Sequence, residues 1–262
     1  MGIKLDIFTN YMLNRFLKII MNKFKKKIFF IKYLIFKLFN IKTINSAYNL
    51  IFYRNYKDTT FKFYVIGKYG YKYWNRIMNI EYPFLFMDIG SNQGLYAIGS
   101  LKNKNCIESY AFEPIPKTYE LLLKNIDLNK TKNCKAFNIG ISSFNGYSDM
   151  YYDPKHSGAA SLNEMKNSNN TKVEIINYQK LSKLIISKYP IHIKIDVEGH
   201  ELTVITEIFK SKFSNNIKEL YFEVDERWSE YDKIKSILNK NGFYNLKKSS
   251  NNSIHYDVLA SK

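Results

Sequence analysis

The first residues that could do chemistry follow an apolar run at 84–87. Asp88 ends the run, and Gly90 and Gly94 follow in the spacing D-x-G-x-x-x-G. Such a run is typical of a buried parallel strand, and the glycines let the backbone pass close to a ligand where a helix begins with free amide groups. The spacing lacks the G-x-G-x-x-G that holds a pyrophosphate, so it favours a nucleotide-like ligand without a diphosphate. The alternative is that the glycines only reverse the chain.

A second acid, Glu113, closes the next predicted strand, 25 positions after Asp88. A carboxylate at this place can accept hydrogen bonds from both hydroxyls of a ribose. Pro116 indicates a helix start shortly afterwards, so the structural alternative is an acid that opens a helix. Asp88 is harder to explain in that way, because an acid that closes an apolar strand needs a partner. We expect Asp88 to hold the glycine loop, the ligand, or both.

Ionisable residues alternate with branched apolar residues in another segment. A period of two places Lys194, Asp196 and Glu198 on one face of a predicted strand. Such a face is costly in a central strand unless its charges pair or hold a ligand, and costs of this kind are typical of functional sites. His200 could be a base near neutral pH or a residue of the first helical turn. The alternative for the whole set is a structural ion-pair network, in which Glu223 is a candidate partner of Lys194.

The elements that must position these residues alternate along the chain from residue 84 onward. Their order predicts an α/β fold with a Rossmann-like, doubly wound and mostly parallel sheet of seven strands. The ligand crevice of such a sheet lies beyond the carboxyl ends of its strands. The last two strands are close enough in sequence to predict an antiparallel hairpin. We predict strands at 84–88, 107–112, 135–140, 191–196, 217–224, 243–247 and 254–260, and helices near 92–101, 116–128, 200–211 and 230–240.

Two segments are predicted to lie outside this alternation. Residues 58–82 are rich in Tyr and Gly and predict a short β or lid element. The polar, Asn-rich stretch 163–171 predicts a mobile loop above the sheet. Cys106 and Cys134 lie in apolar stretches, so we expect reduced core residues and no disulfide framework.

The positive charge is concentrated at the N-terminus. Residues 1–57 hold twelve Lys or Arg against one acid, which gives +11 of the net +17 and leaves +6 for the other 205 residues. Abundant Lys, Asn and Ile throughout also indicate a compositional bias that would raise the charge without a functional cause. We therefore predict a basic extension at 1–57 and one catalytic domain at 58–262.

Residues 11–42 predict an amphipathic helix or helix pair within this extension. Lys32 and Lys37 interrupt its apolar run, so we do not expect it to span a membrane. Two roles stay open: attraction to an anionic membrane surface, or packing on the catalytic domain. We expect a cytoplasmic protein that is free or peripheral at the membrane.

Five segments together resemble the FkbM family of S-adenosylmethionine-dependent methyltransferases. The resemblance covers about residues 84–224 and implies a class I methyltransferase fold, in which the cofactor lies across the strand ends and a hydroxyl oxygen is the usual acceptor. It does not extend to residues 1–57. In chain order the segments are DIGSNQGLY, AFEPIPKTYELLLKNIDLN, NIGIS, SGAASL and KIDVEGHE.

The resemblance also implies roles for residues that match the family's motifs. Glu113 would hold the ribose, and Asn138 and Ile141 would lie beside the adenine. Residues 157–162 resemble a small-residue loop before the fourth strand, with Ala160 where Ser is frequent. The methionine end of S-adenosylmethionine would be lined by Asp88, Gly90, Ser91, Asn92 and Gly94.

Methyl transfer from a sulfonium is an in-line displacement that needs an aligned acceptor. An aliphatic hydroxyl is protonated at pH 7, so a base is useful as its proton leaves. We predict that Asp196 lies nearest the acceptor, with His200 or Glu198 assisting and Lys194 in the same charged set. No ligand spacing is diagnostic of a metal, and we predict none. Sugars, glycans and other small hydroxyl compounds are all consistent acceptors.

Three other functions compete with this hypothesis. An RNA or DNA methyltransferase would explain the basic charge, but that charge lies outside the predicted catalytic domain and no nucleic-acid module is evident. A non-catalytic, membrane-associated interaction protein on the same scaffold would not need the complete DIGSNQG and KIDVEGHE segments. A nicotinamide oxidoreductase is disfavoured by the glycine spacing.

Overall fold

The computed structural model describes residues 24–162, 168–227, 230–249 and 254–262 of the 262-residue chain. The elements alternate between helix and strand through most of this length. In order they are α1 (24–38), β1 (Thr43–Asn45), β2 (Ile51–Tyr53), α2 (Thr59–Ile66), α3 (Tyr71–Met78), β3 (Phe84–Ile89), α4 (Leu95–Ser100), β4 (Cys106–Phe112), α5 (Pro116–Leu128), β5 (Cys134–Phe137), β6 (Gly140–Ile141), β7 (Gly146–Asp153), β8 (His156–Ser161), β9 (Asn169–Ile176), α6 (Tyr178–Leu184), β10 (Ile191–Ile195), α7 (Glu201–Lys210), a 3₁₀ turn (Ser214–Asn216), β11 (Ile217–Asp225), α8 (Tyr231–Lys240), β12 (Asn245–Lys248) and β13 (His255–Ser261).

Seven strands form the main sheet in the order β12-β13-β11-β10-β3-β4-β5. The five from β11 to β5 are parallel, and β13 runs antiparallel to both β11 and β12. This confirms the predicted mostly parallel sheet with a C-terminal antiparallel hairpin. The predicted strand 135–140 ends earlier than expected, at residue 137, because Gly140 and Ile141 pair with a different sheet.

The central strands are apolar on both faces because each face is covered. In β3, Leu85, Met87 and Ile89 pack with helices α6, α7 and α8, whereas Phe84 and Phe86 face the core formed with α2, α3 and α4. This period of two also sends Asp88 and Lys194 to the second face, where they are register partners in β3 and β10. The charged residues therefore enter the same layer as the helices that precede β3.

A second sheet of four strands, in the order β6-β9-β7-β8, stands over the carboxyl ends of the main sheet. The sequence-based interpretation missed it. Residues 169–171, expected in a mobile loop, belong to β9, and residues 157–161 of the expected small-residue loop belong to β8. Residues 163–167 of the expected loop lie outside the described residues. A small cluster of buried apolar residues holds this sheet: Ile115, Met150, Tyr152, Val173 and Ile175.

The prediction of a short β element at 58–82 is wrong, and its alternative, a lid, stays a prediction. Residues 59–66 and 71–78 are helices, and Asp58 caps the first of them. The preceding β1–β2 hairpin buries Leu50 and Phe52 in the core that also contains Phe86. Residues 43–57 therefore pack in the same core as residues that follow position 57. The division of the chain into two parts at residue 57 stays a prediction.

The predicted N-terminal helix is present as α1, and residues 1–23 lie outside the described residues. Tyr33 is buried, and Phe29 and Phe36 pack against the same core, so one face of α1 rests on the domain. In the part of the chain that the structure describes, no helix combines the length and the apolar character needed to cross a membrane. Cys106 and Cys134 are buried and free, as predicted.

Candidate active site

A cleft opens at the carboxyl ends of β3, β4 and β10, where the smaller sheet faces the larger one. Its empty volume is about 680 Å³, a size suited to a small ligand or cofactor. Seven of the twelve catalytic and cofactor-binding residues assigned from the sequence line it: Gly90, Asn92, Glu113, Ile141, Asp196, Glu198 and His200. The other five lie outside the lining of the described cleft: Asp88, Ser91, Gly94, Asn138 and Lys194. The sequence thus located the cleft, but five of the residues that it assigned to the site lie outside the lining.

Gly90, which follows β3, allows a close approach to the residue that follows β10 beneath the cleft. Its φ of +77° lies in the left-handed region, and a Cβ there would stand 1.9 Å from the carbonyl oxygen of Asp196. The backbone amides of Gly90 and Ser91 both donate to the carbonyl oxygen of Phe112 at 3.0 Å. The loop is therefore fastened to the ends of both neighbouring strands, and only glycine fits at its first turn.

Asp88 holds the loop from behind. Its side chain is buried, and Oδ2 accepts a hydrogen bond from the backbone amide of Ala97 in α4 at 3.0 Å. Burial raises the pKa of Asp88 to about 6, against the opposing effects of the Lys194 charge and that hydrogen bond. Of the two roles expected for Asp88, the described contacts correspond to support of the glycine loop.

Glu113 stands in the wall and also organises it. Its Oε2 accepts from the backbone amide of Asn92 and its Oε1 from that of Ile115, each at 2.9 Å. Burial raises the pKa of Glu113 to about 7, although both hydrogen bonds lower it. Each carboxylate oxygen can accept a further hydrogen bond, so Glu113 could bind two hydroxyls of a ligand while it holds the loop.

The middle of the cleft is apolar. Ile139 and Ile141 line it together with Phe112 and Met150. Asn138, expected beside an adenine, instead donates through Nδ2 to the carbonyl oxygens of Glu113 and Pro114, at 2.8 and 2.9 Å. Its amide therefore shapes the loop after β4, and a planar apolar ligand group would meet the isoleucines.

Asp196 lines the cleft just after β10. Its Oδ2 lies 2.9 Å from Lys194 Nζ and accepts a hydrogen bond of 2.7 Å from Tyr69 Oη. Burial alone raises the pKa of Asp196, but the Lys194 charge and the two hydrogen bonds outweigh it and hold the pKa below its usual value. Lys194 remains a cation, because Asp196 and Asp88 raise its pKa more than burial lowers it. The site thus contains a fixed carboxylate at neutral pH.

The expected pairing of Lys194 with Glu223 is wrong. In the parallel register of β10 and β11, Lys194 lies beside Tyr221, so Glu223 falls two residues further along. Glu223 instead pairs with His255 of the neighbouring strand. The side chain of Lys194 turns to the acids on its other side, Asp88 and Asp196.

Glu198 lies in the loop after β10, where it has a φ of +50°, so the strand period does not place it. Burial and the charges of Asp196 and Glu223 raise the pKa of Glu198 to about 9. These three carboxylates have oxygens within 4.8 Å of one another, which accounts for the repulsion. At neutral pH Glu198 is therefore protonated and can donate a hydrogen bond.

His200 directly precedes α7 and lines the cleft. Its Nε2 lies 3.0 Å from Ser142 Oγ, which sits at the edge of the smaller sheet. Burial lowers the pKa of His200, so the imidazole is neutral at pH 7. The carboxylate of Glu201 fixes the loop between β10 and α7 by accepting hydrogen bonds from the backbone amides of Val197 and Gly199.

Two residues of the site, Tyr69 and Asp58, were missed from the sequence. Tyr69 lines the cleft, and Asp58 lies behind Ser157, which belongs to the predicted small-residue loop. Asp58 precedes two threonines and a helical run, which is a recognisable N-cap signal. Nothing in the sequence indicates that the cap reaches a site near residue 92 or 157.

The fold and the cleft together define a protein of the class I methyltransferase type, with a nucleoside-sized cleft at the carboxyl ends of a sheet that ends in an antiparallel hairpin. The chain belongs to the FkbM methyltransferase family, because the model described as "Methyltransferase FkbM domain" matches residues 88–244. Asp58 and Tyr69 precede the matched segment.

Two curated relatives are similar over parts of the chain. The hexuronic acid methyltransferase AglP of Haloferax volcanii is 29% identical over 142 residues, 53% of this chain and 57% of AglP. The methyltransferase sdnD of Sordaria araneosa is 26% identical over 193 residues, 62% of this chain and 73% of sdnD. The chain therefore spans little more than half the length of AglP.

Among solved structures, M. capricolum TrmK in complex with S-adenosylhomocysteine superposes with a TM-score of 0.44 and 14% identity. The match covers 72% of this chain and 67% of TrmK.

Proposed function

We propose that this protein is an S-adenosylmethionine-dependent O-methyltransferase that acts on a hydroxyl group of a sugar, a glycan or another small molecule. The observation that carries the proposal is the cleft whose lining brings together Glu113 and the Lys194-bound carboxylate of Asp196. Membership of a methyltransferase family supports it. The name of AglP supports a sugar acid as one class of acceptor.

The residues of the cleft fit this cofactor. Glu113 would accept from the ribose hydroxyls, and Ile139 and Ile141 would contact the adenine. Gly90 and Asn92 would lie at the methionine end, and the Asp196 carboxylate favours a nearby positive sulfonium. When bound, the cofactor supplies an electrophilic methyl group.

The contribution of the chain is to orient the acceptor and to receive its proton. Both described contacts of Asp196 fall on Oδ2, so Oδ1 is available to accept the acceptor's hydroxyl and fix its direction. A carboxylate with a lowered pKa is a weak base, whereas neutral His200 is a stronger one. We therefore assign orientation to Asp196 and proton removal to His200, while protonated Glu198 donates a hydrogen bond nearby.

Two measurements test the proposal. Titration calorimetry with S-adenosylmethionine should show one site per chain. Transfer of labelled methyl into a fractionated cell extract should then label a hydroxyl compound, with Asp196→Asn as the inactive control. Absence of cofactor binding, or label in nitrogen or carbon positions only, contradicts the proposal.

We further propose that α1 docks the enzyme on an anionic membrane surface. Its outer face carries an apolar stripe at spacings of four and three residues, and the members of this stripe are 48–78% exposed: Phe24, Ile28, Ile31, Ile35 and Leu38. Lys25, Lys27 and Lys32 flank the stripe at helical spacing. An apolar stripe bordered by cations is the arrangement that binds in the plane of an anionic bilayer.

Sedimentation with vesicles tests the docking. The protein should bind vesicles of phosphatidylglycerol and phosphatidylcholine but not phosphatidylcholine alone, and Ile31→Asp with Ile35→Asp should abolish binding. Leu123→Asp with Ile186→Asp, at exposed apolar residues elsewhere, is the matched control. Retained vesicle binding in the first double variant contradicts a membrane role for this face. So does the finding that the wild type is a dimer and that the first double variant is a monomer, because the stripe would then be an interface between two copies of the chain.

A further inference from the structure

Asp58 caps helix α2 but is unlike an ordinary cap. Its carboxylate accepts from the backbone amides of Thr60 at 3.3 Å and Phe61 at 2.9 Å. A cap needs no more than this to stabilise a helix by about 1 kcal/mol. Asp58 is nevertheless only 1% exposed, and burial of a carboxylate is costly unless further partners compensate.

The further partners come from both walls of the cleft. Ser157, at the start of β8, donates its backbone amide to Oδ1 at 2.9 Å and its hydroxyl to Oδ2 at 2.8 Å. Gln93, in the glycine loop, donates through Nε2 to Oδ2 at 2.7 Å. One buried carboxylate thus joins α2, the smaller sheet and the glycine loop.

The network continues to the residues that face the cleft. Ser157 Oγ lies 3.1 Å from both the Oδ1 and the Nδ2 of Asn92. The backbone amide of Asn92 donates to Glu113, the acid assigned to the ribose. An unbroken series of hydrogen bonds therefore leads from Asp58 through Ser157 and Asn92 to Glu113.

The first turn of α2 also lies directly on β8. Thr60 Oγ1 accepts from the backbone amide of Gly158 at 3.0 Å, and the amide of Thr59 donates to the carbonyl oxygen of Lys155 at 2.8 Å. A Cβ at Gly158 would stand 2.9 Å from Thr60 Oγ1, so this close approach requires glycine. The position of β8, and with it one wall of the cleft, depends on α2.

We propose that Asp58 is a positioning residue for the cofactor, which sets the distance between the glycine loop and β8. The proposal rests on the use of S-adenosylmethionine proposed above. It concerns a residue that precedes the segment matched by the family model. Without Asp58, Gln93 and Ser157 lose their common anchor, and the cleft loses the preorganisation that keeps binding tight.

Asp58→Ser tests the proposal, because serine keeps the capping function but is too short to reach Ser157 and Gln93 together. We expect its dissociation constant for S-adenosylmethionine to rise by about tenfold or more, as hydrogen bonds to a charged group are lost. Hydrogen exchange should accelerate at residues 90–94 and 156–160. Asn177→Ala removes the cap of α6 without touching the cleft, so it should lower the melting temperature but leave cofactor affinity unchanged.

The outcomes separate this proposal from the one on which it rests. If the wild type does not bind S-adenosylmethionine, the proposed function fails and Asp58 has no cofactor to position. If the wild type binds and Asp58→Ser binds equally well, only the role of Asp58 is overturned. Should Asp58→Ser fail to fold, Thr60→Val decides: it preserves shape, loses the contact to Gly158, and should weaken binding about threefold. Unchanged affinity in Thr60→Val would then overturn the proposal.

Discussion

Tyr69 donates a hydrogen bond of 2.7 Å to Asp196 Oδ2, although the two residues are 127 positions apart. Tyr69 lies in the short connection between α2 and α3, where Gly67 and Gly70 both have positive φ. Its backbone amide is in turn bound to Tyr48 Oη at 3.0 Å. The Asp196 carboxylate is therefore fixed by a residue from the N-terminal helices as well as by Lys194.

Tyr69→Phe should slow turnover by about tenfold or more, since hydrogen bonds to charged groups contribute about 1.5–3 kcal/mol. The hydrogen bond from Tyr69 lowers the pKa of Asp196, so its loss raises that pKa. Methyl transfer measured near neutral pH with saturating S-adenosylmethionine in both proteins checks the loss of turnover.

Tyr147→Phe, on the exposed side of β7, is the matched control and should leave turnover unchanged. Because the ring of Tyr69 remains in the phenylalanine variant, the affinity for S-adenosylmethionine should stay within about twofold. Normal turnover in Tyr69→Phe would show that Tyr69 only fills space.

Asp196→Asn should reduce turnover by about a hundredfold or more while the cofactor dissociation constant changes by only a fewfold. The amide cannot accept from Lys194 and the acceptor in the same way, whereas the proposed ribose and adenine contacts are made by other residues, Glu113, Ile139 and Ile141. Single-turnover methyl transfer and calorimetry separate the two effects.

Asp149→Asn replaces an exposed acid on β7 and serves as the control. A near-normal turnover number in Asp196→Asn would remove Asp196 from the mechanism. Equal losses in turnover and in cofactor affinity would assign Asp196 to binding.

The main sheet could be predicted because its signals are local. The parallel strands are rich in apolar residues and alternate with helical segments, and the acids Asp88, Glu113 and Asp196 mark strand ends. The smaller sheet could not be predicted in this way. Its strands β7 and β9 are rich in polar residues, since much of their surface faces solvent.

Contacts between distant segments account for the missed site residues. Ser157 meets Asp58 across 99 positions, and no local pattern encodes such a pairing. The same limit affected Lys194, whose partner depends on the register between two parallel strands. A residue's type predicted that it needed a partner, but only the fold determined which one.

Gly90→Ala should destabilise the protein by several kcal/mol and abolish cofactor binding. Its new Cβ would overlap the backbone of Asp196, which cannot move without displacing β10. Gly242→Ala is a matched control, because Gly242 also has a positive φ of +84° but nothing within 4 Å of a Cβ. The control should lose only about 1 kcal/mol from backbone strain. Denaturant unfolding of both variants makes the comparison, and equal losses would show that strain alone matters at Gly90.

Glu113 provides a pH-dependent step in cofactor binding. Burial raises its pKa to about 7 in the free protein. Ribose hydroxyls that donate to the carboxylate stabilise its ionised form, so binding lowers this pKa. Below pH 7 the cofactor must therefore displace a proton, whereas at pH 8 the carboxylate is already ionised.

The affinity for S-adenosylmethionine should accordingly fall as the pH decreases from 8 to 6, approaching a tenfold loss per pH unit at the acid end. Calorimetry at pH 6 in two buffers of different ionisation enthalpy should detect release of up to about one proton per site. The side chain of Glu113→Gln cannot ionise, so this variant should bind the cofactor more weakly and lose this proton release. Any proton exchange that remains in the variant comes from other groups and is subtracted from the wild-type value. Proton uptake by the wild type, or the same release in Glu113→Gln, would mean that the ribose does not bind to an ionised Glu113.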